Sequence, residues 1–379
     1  MRNATYVIVL TGVVSFYGGC RAPQPAPATS QPAADPMIAV HTLIDAPPDF
    51  AARRIESGDY PLPPQAKFLA GVKICLDPGH GGDADKRGFK RGPTGVREAE
   101  VNLRVAQYLR ELLTRAGAEV RLTREDDVDL TLEDRAAVAN TWGADLFISL
   151  HHNAIDNKPR VNHTTVWYHN DVDYRPSDLD LARYLCQGLY YVLALPEIAD
   201  VPLKSDQLMY ASGFGVLRAA QVTAALTETS FFTNHEEEQR LRQPEYNLRE
   251  AYAQFLGLAR YAAAGLPRAK LIAPADGVVT RGNEPAGDEG SSPGALIFQL
   301  DDGLRGRKSW GWERQMILTD SLAARVDGEY VPFDFTNEDY RLIVALPDDL
   351  EPGEHVVEVQ FENMNKNAVL NPRFTFVVR

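Results

Sequence analysis

Between about residues 67 and 267, short apolar runs alternate with stretches of helix length, and this alternation most constrains what the chain can fold into. Val72 to Leu76 is apolar over the length of a strand, and a helical stripe follows from about Glu98 to Ala116, closed by Gly117. Glu119 to Leu122 reads as the next strand. Thr131 and Asp134 make a capping pair ahead of a helix through Asn140. Asp145 to Leu150 is strand again, Leu179 to Leu195 a long helix, Ala224 to Thr227 a strand, and Tyr246 to Ala264 a closing helix. Strand and helix in this order imply an α/β domain over 67–267, with a mostly parallel sheet covered by helices.

From about 268 the period changes. "EHVVEVQF" and "RFTFVVR" alternate at period two, Asp327-Gly328 between apolar runs marks a hairpin, and Pro352-Gly353 marks another turn. No helix-length stripe survives, so residues 268–379 are expected to form a small all-β, immunoglobulin-like sandwich domain. No internal repeat is present. A chain of 379 residues is long for one domain, in keeping with two.

The first 66 residues belong to neither pattern. Arg2, an apolar run from Tyr6 to Phe16 and then small residues lead to Cys20. The run is too short to span a bilayer and has the dimensions of a signal-peptide core, assigning residues 1–19 to export. Tyr17-Gly18-Gly19-Cys20 resembles the bacterial lipobox, with Tyr17 where a leucine-like residue is usual; the resemblance implies lipidation of Cys20. Residues 21–36, "RAPQPAPATSQPAADP", are rich in Pro and Ala and form a semi-extended tether within 20–66. The expected arrangement is an exported body in the periplasm or cell envelope, held to a membrane by a lipid anchor. A net charge of -13 argues against nucleic acid as a partner. Cys75 and Cys186 lie in apolar segments and read as inert buried thiols.

Chemistry concentrates at four positions. On the helix after Thr94, Val101, Val105, Leu109, Leu112 and Ala116 form one apolar stripe, and Glu98 lies on it one turn before Val101. Glu100 falls on the other side, spaced to pair with Arg104. A buried carboxylate costs several kcal/mol unless paired or bound to a cation, and no Arg or Lys sits at helical spacing on that face. Glu98 therefore needs a positive partner from elsewhere in the fold. His80, in "KICLDPGHGGDA", and the histidines ending "DLFISLHHNA" are the candidates to share it. His151 and His152 face opposite ways on a strand, so at most one easily enters a given site. Each histidine alone reads as a hydrogen-bonded structural residue. Taken together, the histidine loops and Glu228 follow predicted strands, where open α/β sheets form their crevice. Two imidazoles, a carboxylate and a water make a hydrolytic zinc site with one open position. A phosphate-binding glycine loop is a poor fit, because no helix starts directly after Gly82.

The set "LDPGHGG", "GVREAEVNL", "LTLEDRAAVAN", "ADLFISLHHNA" and "TETSFFTN", in this order, resembles the zinc-dependent N-acetylmuramoyl-L-alanine amidases of bacterial cell walls over about residues 70–265. The resemblance implies His80, Glu98 and His151 as zinc ligands, Glu228 as the catalytic carboxylate, and peptidoglycan as substrate. It selects His151 over His152, since a small residue usually holds the second place. His152, Ser230 in place of a common glycine, and the charged stretch Asp83 to Arg91 depart from the family pattern. Under this reading the glycines beside His80 leave room for metal, water and a bulky glycan-peptide. Rival readings keep the zinc and change the bond (a carboxypeptidase or other wall-peptide hydrolase), or make the chain a non-catalytic wall-binding lipoprotein.

Some relatives block the cleft with an inserted helix; between Asn153 and Leu179 no helix-length apolar stripe occurs, which predicts an open cleft. His163, His169, His235 and His355 have no metal-like spacing; His163 and His169 lie near the site in sequence and are secondary candidates to reach substrate. Trp310 and Trp312 read as hairpin or core residues, with a sugar-stacking surface as the alternative. The C-terminal sandwich is a candidate surface for wall polymer or a protein partner.

Overall fold

A computed structural model describes residues 60–86, 88–171, 174–195, 199–280, 294–304 and 316–379. The expected signal segment, Cys20 and its tether, and Trp310 and Trp312 lie outside the described residues.

The first body runs β1 (Lys73–Pro78), α1 (Glu98–Arg115), β2 (Glu119–Leu122), α2 (Leu132–Trp142), β3 (Leu146–Asn153), β4 (Thr165–Tyr168), α3 (Pro176–Leu193), β5 (Leu203–Ser205), α4 (Gly215–Ala219), β6 (Thr223–Phe231), α5 (His235–Leu241) and α6 (Pro244–Ala264). Its six strands lie in the order β2-β1-β3-β6-β4-β5. Pairing is parallel throughout except where β4 meets β6 antiparallel. The expected mostly parallel sheet is thus present. The sequence pattern passes over β4 and β5, which are too short to show a period, and over the short helices α4 and α5.

Alternation along each strand sorts its side chains to two faces. Ile74, Leu76, Leu146, Ile148 and Leu150 join Val101, Val105, Leu109 and Leu112 of α1 and residues of α3 and α6 in the larger core. Cys75, Phe147, Ala224 and Leu226 meet α2 and α4 on the other face. Burying one large aliphatic side chain in such a core contributes roughly 1.5–3 kcal/mol. The capping pair holds: Thr131 Oγ1 accepts from the Asp134 N–H at 3.0 Å, and Gly143 ends the helix in the left-handed conformation.

The second body comprises β7 (Arg268–Ala273), β8 (Val278–Val279), β9 (Ala295–Asp301), β10 (Ala323–Val326), β11 (Glu329–Tyr330), β12 (Phe333–Thr336), β13 (Arg341–Ala345), β14 (Gly353–Gln360) and β15 (Arg373–Val378). They form sheets ordered β11-β10-β14-β15-β8 and β12-β13-β9-β7. Phe298, Leu342 and Val344 from one and Val357, Val359 and Phe376 from the other share a core. Asp327 and Gly328 take positive φ at the predicted hairpin. Strand pairing is antiparallel except for the two-residue β8 beside β15, which is parallel, and the body is all-β as expected.

Side chains from 363–371 tie the two bodies together. Asn363 Nδ2 donates to Ala264 O at 3.1 Å, Asn367 Nδ2 to Gly265 O at 2.8 Å, and Asn371 Nδ2 to Ala144 O at 3.0 Å. Leu370 is buried in the core of the first body. Among the described residues no helix is long and apolar enough to cross a membrane.

Candidate metal centre

The site forms at the carboxyl ends of β1, β3 and β6. After β1 the chain turns at His80, whose φ of 59° is left-handed and costly for a side-chain-bearing residue. Two buried guanidinium groups hold that turn. Arg124 donates to Pro78 O at 2.8 Å, Gly79 O at 3.0 Å and Ala99 O at 2.7 Å. Arg135 donates to Pro78 O at 3.0 Å and His80 O at 2.9 Å, and pairs with Asp77 at 2.8 Å. Gly79 has a local reason: a Cβ there would lie 2.2 Å from the His151 ring. The glycine beside His80 thus makes room for the second imidazole, a role beyond the expected room for metal, water and substrate.

Glu98 opens α1 and is 1% exposed, as the stripe requires, while Glu100 faces solvent 3.6 Å from Arg104. Its helix start is fixed from outside. The buried Glu238 carboxylate of α5 accepts from Thr94 N–H at 2.8 and 2.9 Å and from Val96 N–H at 3.1 Å. Glu98 Oε1 lies 3.1 Å from His80 Nε2 and 3.2 Å from His151 Nδ1, and it accepts from the His152 N–H at 3.2 Å. The two imidazoles meet edge to face, centroids 4.8 Å apart. One donor atom from each of His80, Glu98 and His151 falls within 4.8 Å of the others, the one group of this kind among the described residues. Glu98 Oε2 is buried without a hydrogen-bond partner. A buried carboxylate oxygen left open beside two imidazoles fits a divalent cation.

His151 and Glu228 sit inside β3 and β6, not beyond them as the pattern suggested, and they are register partners. Parallel neighbours in register point to one face of the sheet about 4.8 Å apart, which places the Glu228 carboxylate beside His151. Glu228 Oε2 is also buried without a hydrogen-bond partner. Alternation sends His152 to the other face, where Nδ1 meets Asn102 Oδ1 at 2.8 Å and Nε2 meets Glu250 Oε2 at 3.0 Å. Asn102 Nδ2 donates in turn to Gly79 O at 3.2 Å, so this departure from the family pattern braces the site from behind.

Charge follows position. Burial opposes ionisation of Glu98, but hydrogen bonds with His151 and His80 outweigh it and hold its pKa far below the usual carboxylate range. Burial, then the charge of Glu98, raises the pKa of Glu228 well above that range. Burial lowers the pKa of His151 against the pull of Glu98. For His152, burial is overcome by Glu250 and the pKa rises.

The remaining candidates fall elsewhere. His169 is buried against Asp206 at 2.8 Å, beyond the β4 end that lies beside the start of β6, and so is turned away from the site. His163 meets the Phe231 ring edge to face, His235 begins α5, and His355 pairs with Asp327 in the second body. Ser230 is buried with its hydroxyl unpartnered. Among the described residues after Asn153 no helix occurs before α3, which starts at Pro176 and not at the expected Leu179, and His80 and His151 stay partly exposed.

The family model described as N-acetylmuramoyl-L-alanine amidase matches residues 74–259. The chain is 29% identical to N-acetylmuramoyl-L-alanine amidase AmiA of Escherichia coli (strain K12) over 232 residues, 52% of this chain and 79% of that protein. With AmiC of Escherichia coli O6:H1 it shares 27% identity over 279 residues, 64% of this chain and 65% of the other. With LytC of Bacillus subtilis (strain 168) it shares 30% over 193 residues, 51% of this chain and 36% of the other. The stretch 74–259 holds the sheet, the His80–Glu98–His151 group and Glu228, and stops short of the second body.

Proposed function

The domain at residues 74–259 belongs to the N-acetylmuramoyl-L-alanine amidase family, and from that membership and the site geometry we propose that the chain hydrolyses the amide joining N-acetylmuramic acid to L-alanine in peptidoglycan. The observation that carries this reading is the convergence of His80, Glu98 and His151, with Glu228 in register beside His151.

His80, Glu98 and His151 would hold Zn2+, whose softness suits two imidazoles and a carboxylate. Zinc bound there would polarise the scissile carbonyl and lower the pKa of water to about 7. Glu228 Oε2 takes the proton of the attacking water and returns it to the leaving alanine nitrogen. Its buried position suits this, since an unpartnered carboxylate away from solvent has a strong drive to accept a proton. The Arg124 and Arg135 guanidinium groups keep the strained His80 turn in place, so the ligand does not have to be ordered at each turnover.

Glu228→Gln tests the assignment. Zinc content is expected to stay stoichiometric while release of peptides from purified peptidoglycan falls roughly 10²–10⁴-fold. Full activity, or loss of zinc, contradicts the role. Mass spectrometry of wild-type products is expected to show intact stem peptides freed from glycan; fragments cut within the stem favour a different wall-peptide hydrolase.

The same proposal extends to the chain's organisation: signal peptide 1–19, lipidated Cys20 on a tether through 66, amidase domain 67–267 and an immunoglobulin-like sandwich 268–379. Its support is the apolar run ahead of Cys20, the Pro and Ala content after it, and the two facing sheets of the second body. Such a chain would cut wall outside the cytoplasm while anchored to a membrane, leaving the sandwich for wall polymer or a protein partner.

A further inference from the structure

We propose that Lys90 forms a carboxylate subsite at the rim of the metal centre, and that it reads the acidic residue following L-alanine in the stem peptide. This rests on the amidase reading and names which group of the substrate the site discriminates.

Among the described residues of its loop, Lys90 is the one cation that reaches the centre. Its Nζ lies 3.9 Å from Glu98 Oε2, too far for a hydrogen bond, and the side chain is 38% exposed. The neighbouring cations are occupied. Lys86 sits over the Phe89 ring at 5.6 Å. Arg91 donates to Ala84 O at 2.8 Å, and Arg97 pairs with Asp83 and, at 2.7 Å, with Asp127.

The loop fixes where Lys90 stands. Its φ of 49° is left-handed, its carbonyl accepts from the Glu98 N–H at 3.0 Å, and Arg91 forms a backbone bridge with Arg97. The first turn of α1 therefore carries the metal-site carboxylate and also holds the residue that presents the ammonium. Once a divalent cation takes Glu98, the ammonium loses its ion-pair partner to that cation and is available to an anion from outside.

A substrate anion needs such a cation here. Glu98 and Glu228 make the floor of the site acidic, and the charge of Lys90 is felt at both. A stem peptide entering with its scissile amide at the centre brings the α-carboxyl of its second residue about 7 Å further along an extended chain. That distance is within the sweep of a lysine side chain rooted at the rim. In wall peptides this α-carboxyl occurs free or amidated, so an ammonium there separates two substrates of nearly identical shape.

The test uses two product stem peptides that differ only in that group, titrated calorimetrically into zinc-loaded wild type, Lys90→Gln and Lys90→Arg. Wild type is expected to bind the free acid about tenfold more tightly than the amide. Lys90→Gln should abolish the preference with zinc content unchanged, and Lys90→Arg should retain it. Equal affinity of wild type for both peptides overturns the proposal, as does a parallel loss on both in Lys90→Gln or loss of the preference in Lys90→Arg. Failure of the amidase reading is seen separately, as wild type releasing no stem peptides from peptidoglycan.

Discussion

At the carboxyl end of the mixed sheet Glu98 is 1% exposed, and near the amino end of β6 Asp178 is fully buried, yet the pKa values of the two carboxyls move in opposite directions. Burial opposes ionisation at both. At Glu98 the hydrogen bonds with His151 and His80 reverse that effect and keep the group ionised. At Asp178 burial wins over the Arg175 guanidinium and the Ala224 N–H, and the pKa is pushed up to about 7. Arg175 lies 3.3 Å from Asp178 Oδ2, an oxygen without a hydrogen bond, whereas both imidazoles converge on one oxygen of Glu98. Depth of burial therefore does not set the pKa by itself; the geometry of the hydrogen-bonding partners does. One end is an ionised carboxylate awaiting a cation, and the other is a structural carboxyl near its own neutralisation.

Removing the charge at the functional end should have the largest effect. Glu98→Gln keeps the shape and takes away the anionic ligand, so zinc affinity is expected to fall more than about 100-fold and peptide release with it. Metal analysis after dialysis, alongside peptidoglycan turnover, checks this. Retention of stoichiometric zinc would break the comparison, since Glu98 would then be a buried carboxylate stabilised by imidazoles alone.

The functional end was far more legible in the sequence than the structural one, for physical reasons. Glu98 stood out because helical periodicity put a carboxylate on an apolar stripe. Strand alternation separated His151 from His152, but only the family pattern said which one entered the site. Glu228 and His151 read as following their strands because the apolar run stops before the strand does, at the polar residues 151–153 of β3 and 227–230 of β6. Arg124, Arg135 and Glu238 left no local signal. The backbone groups of the His80 turn and the α1 start that they hold lie some 25 to 144 residues away, and a charged side chain on a loop or helix reads as solvated. The asparagines of 363–371 were invisible for the same reason.

Asp178→Asn sharpens the comparison from the other side. The folded pKa of about 7 lies above the ordinary value of 3.8, so the contribution of this group to stability is fully present below pH 3.8 and is lost as pH rises through about 7. Asparagine keeps an acceptor for Ala224 N–H, now 2.8 Å from Oδ1, and removes the titration. The variant is expected to gain about 2–4 kcal/mol over wild type at pH 8 and to match it closely at pH 4. Urea unfolding across that range measures it, and a constant difference at every pH would show that burial does not control this carboxyl.

Asp180, two residues on, gives the smallest and most selective effect because it faces the second body. Its Oδ2 accepts from the Ala368 N–H at 2.8 Å and its Oδ1 pairs with Arg183 at 2.8 Å. Burial again comes first and pushes the pKa up to about 6, against that N–H and the Arg183 charge. The sign is the same as for Asp178, with stability lost as pH rises from 3.8 through about 6, but the window is narrower and the group is less deeply buried. Asp180→Asn is therefore expected to gain about 1–2 kcal/mol, complete by pH 7, while retaining the Ala368 contact. Asp180→Ala removes the acceptor and leaves the Ala368 N–H buried and unpaired, a loss of about 1–3 kcal/mol relative to the asparagine variant at every pH. Limited proteolysis near 363–371 should rise in the alanine variant and not in the asparagine variant. If both variants protect this segment equally, the contact between the bodies does not depend on Asp180, and the asparagines around it carry the docking by themselves.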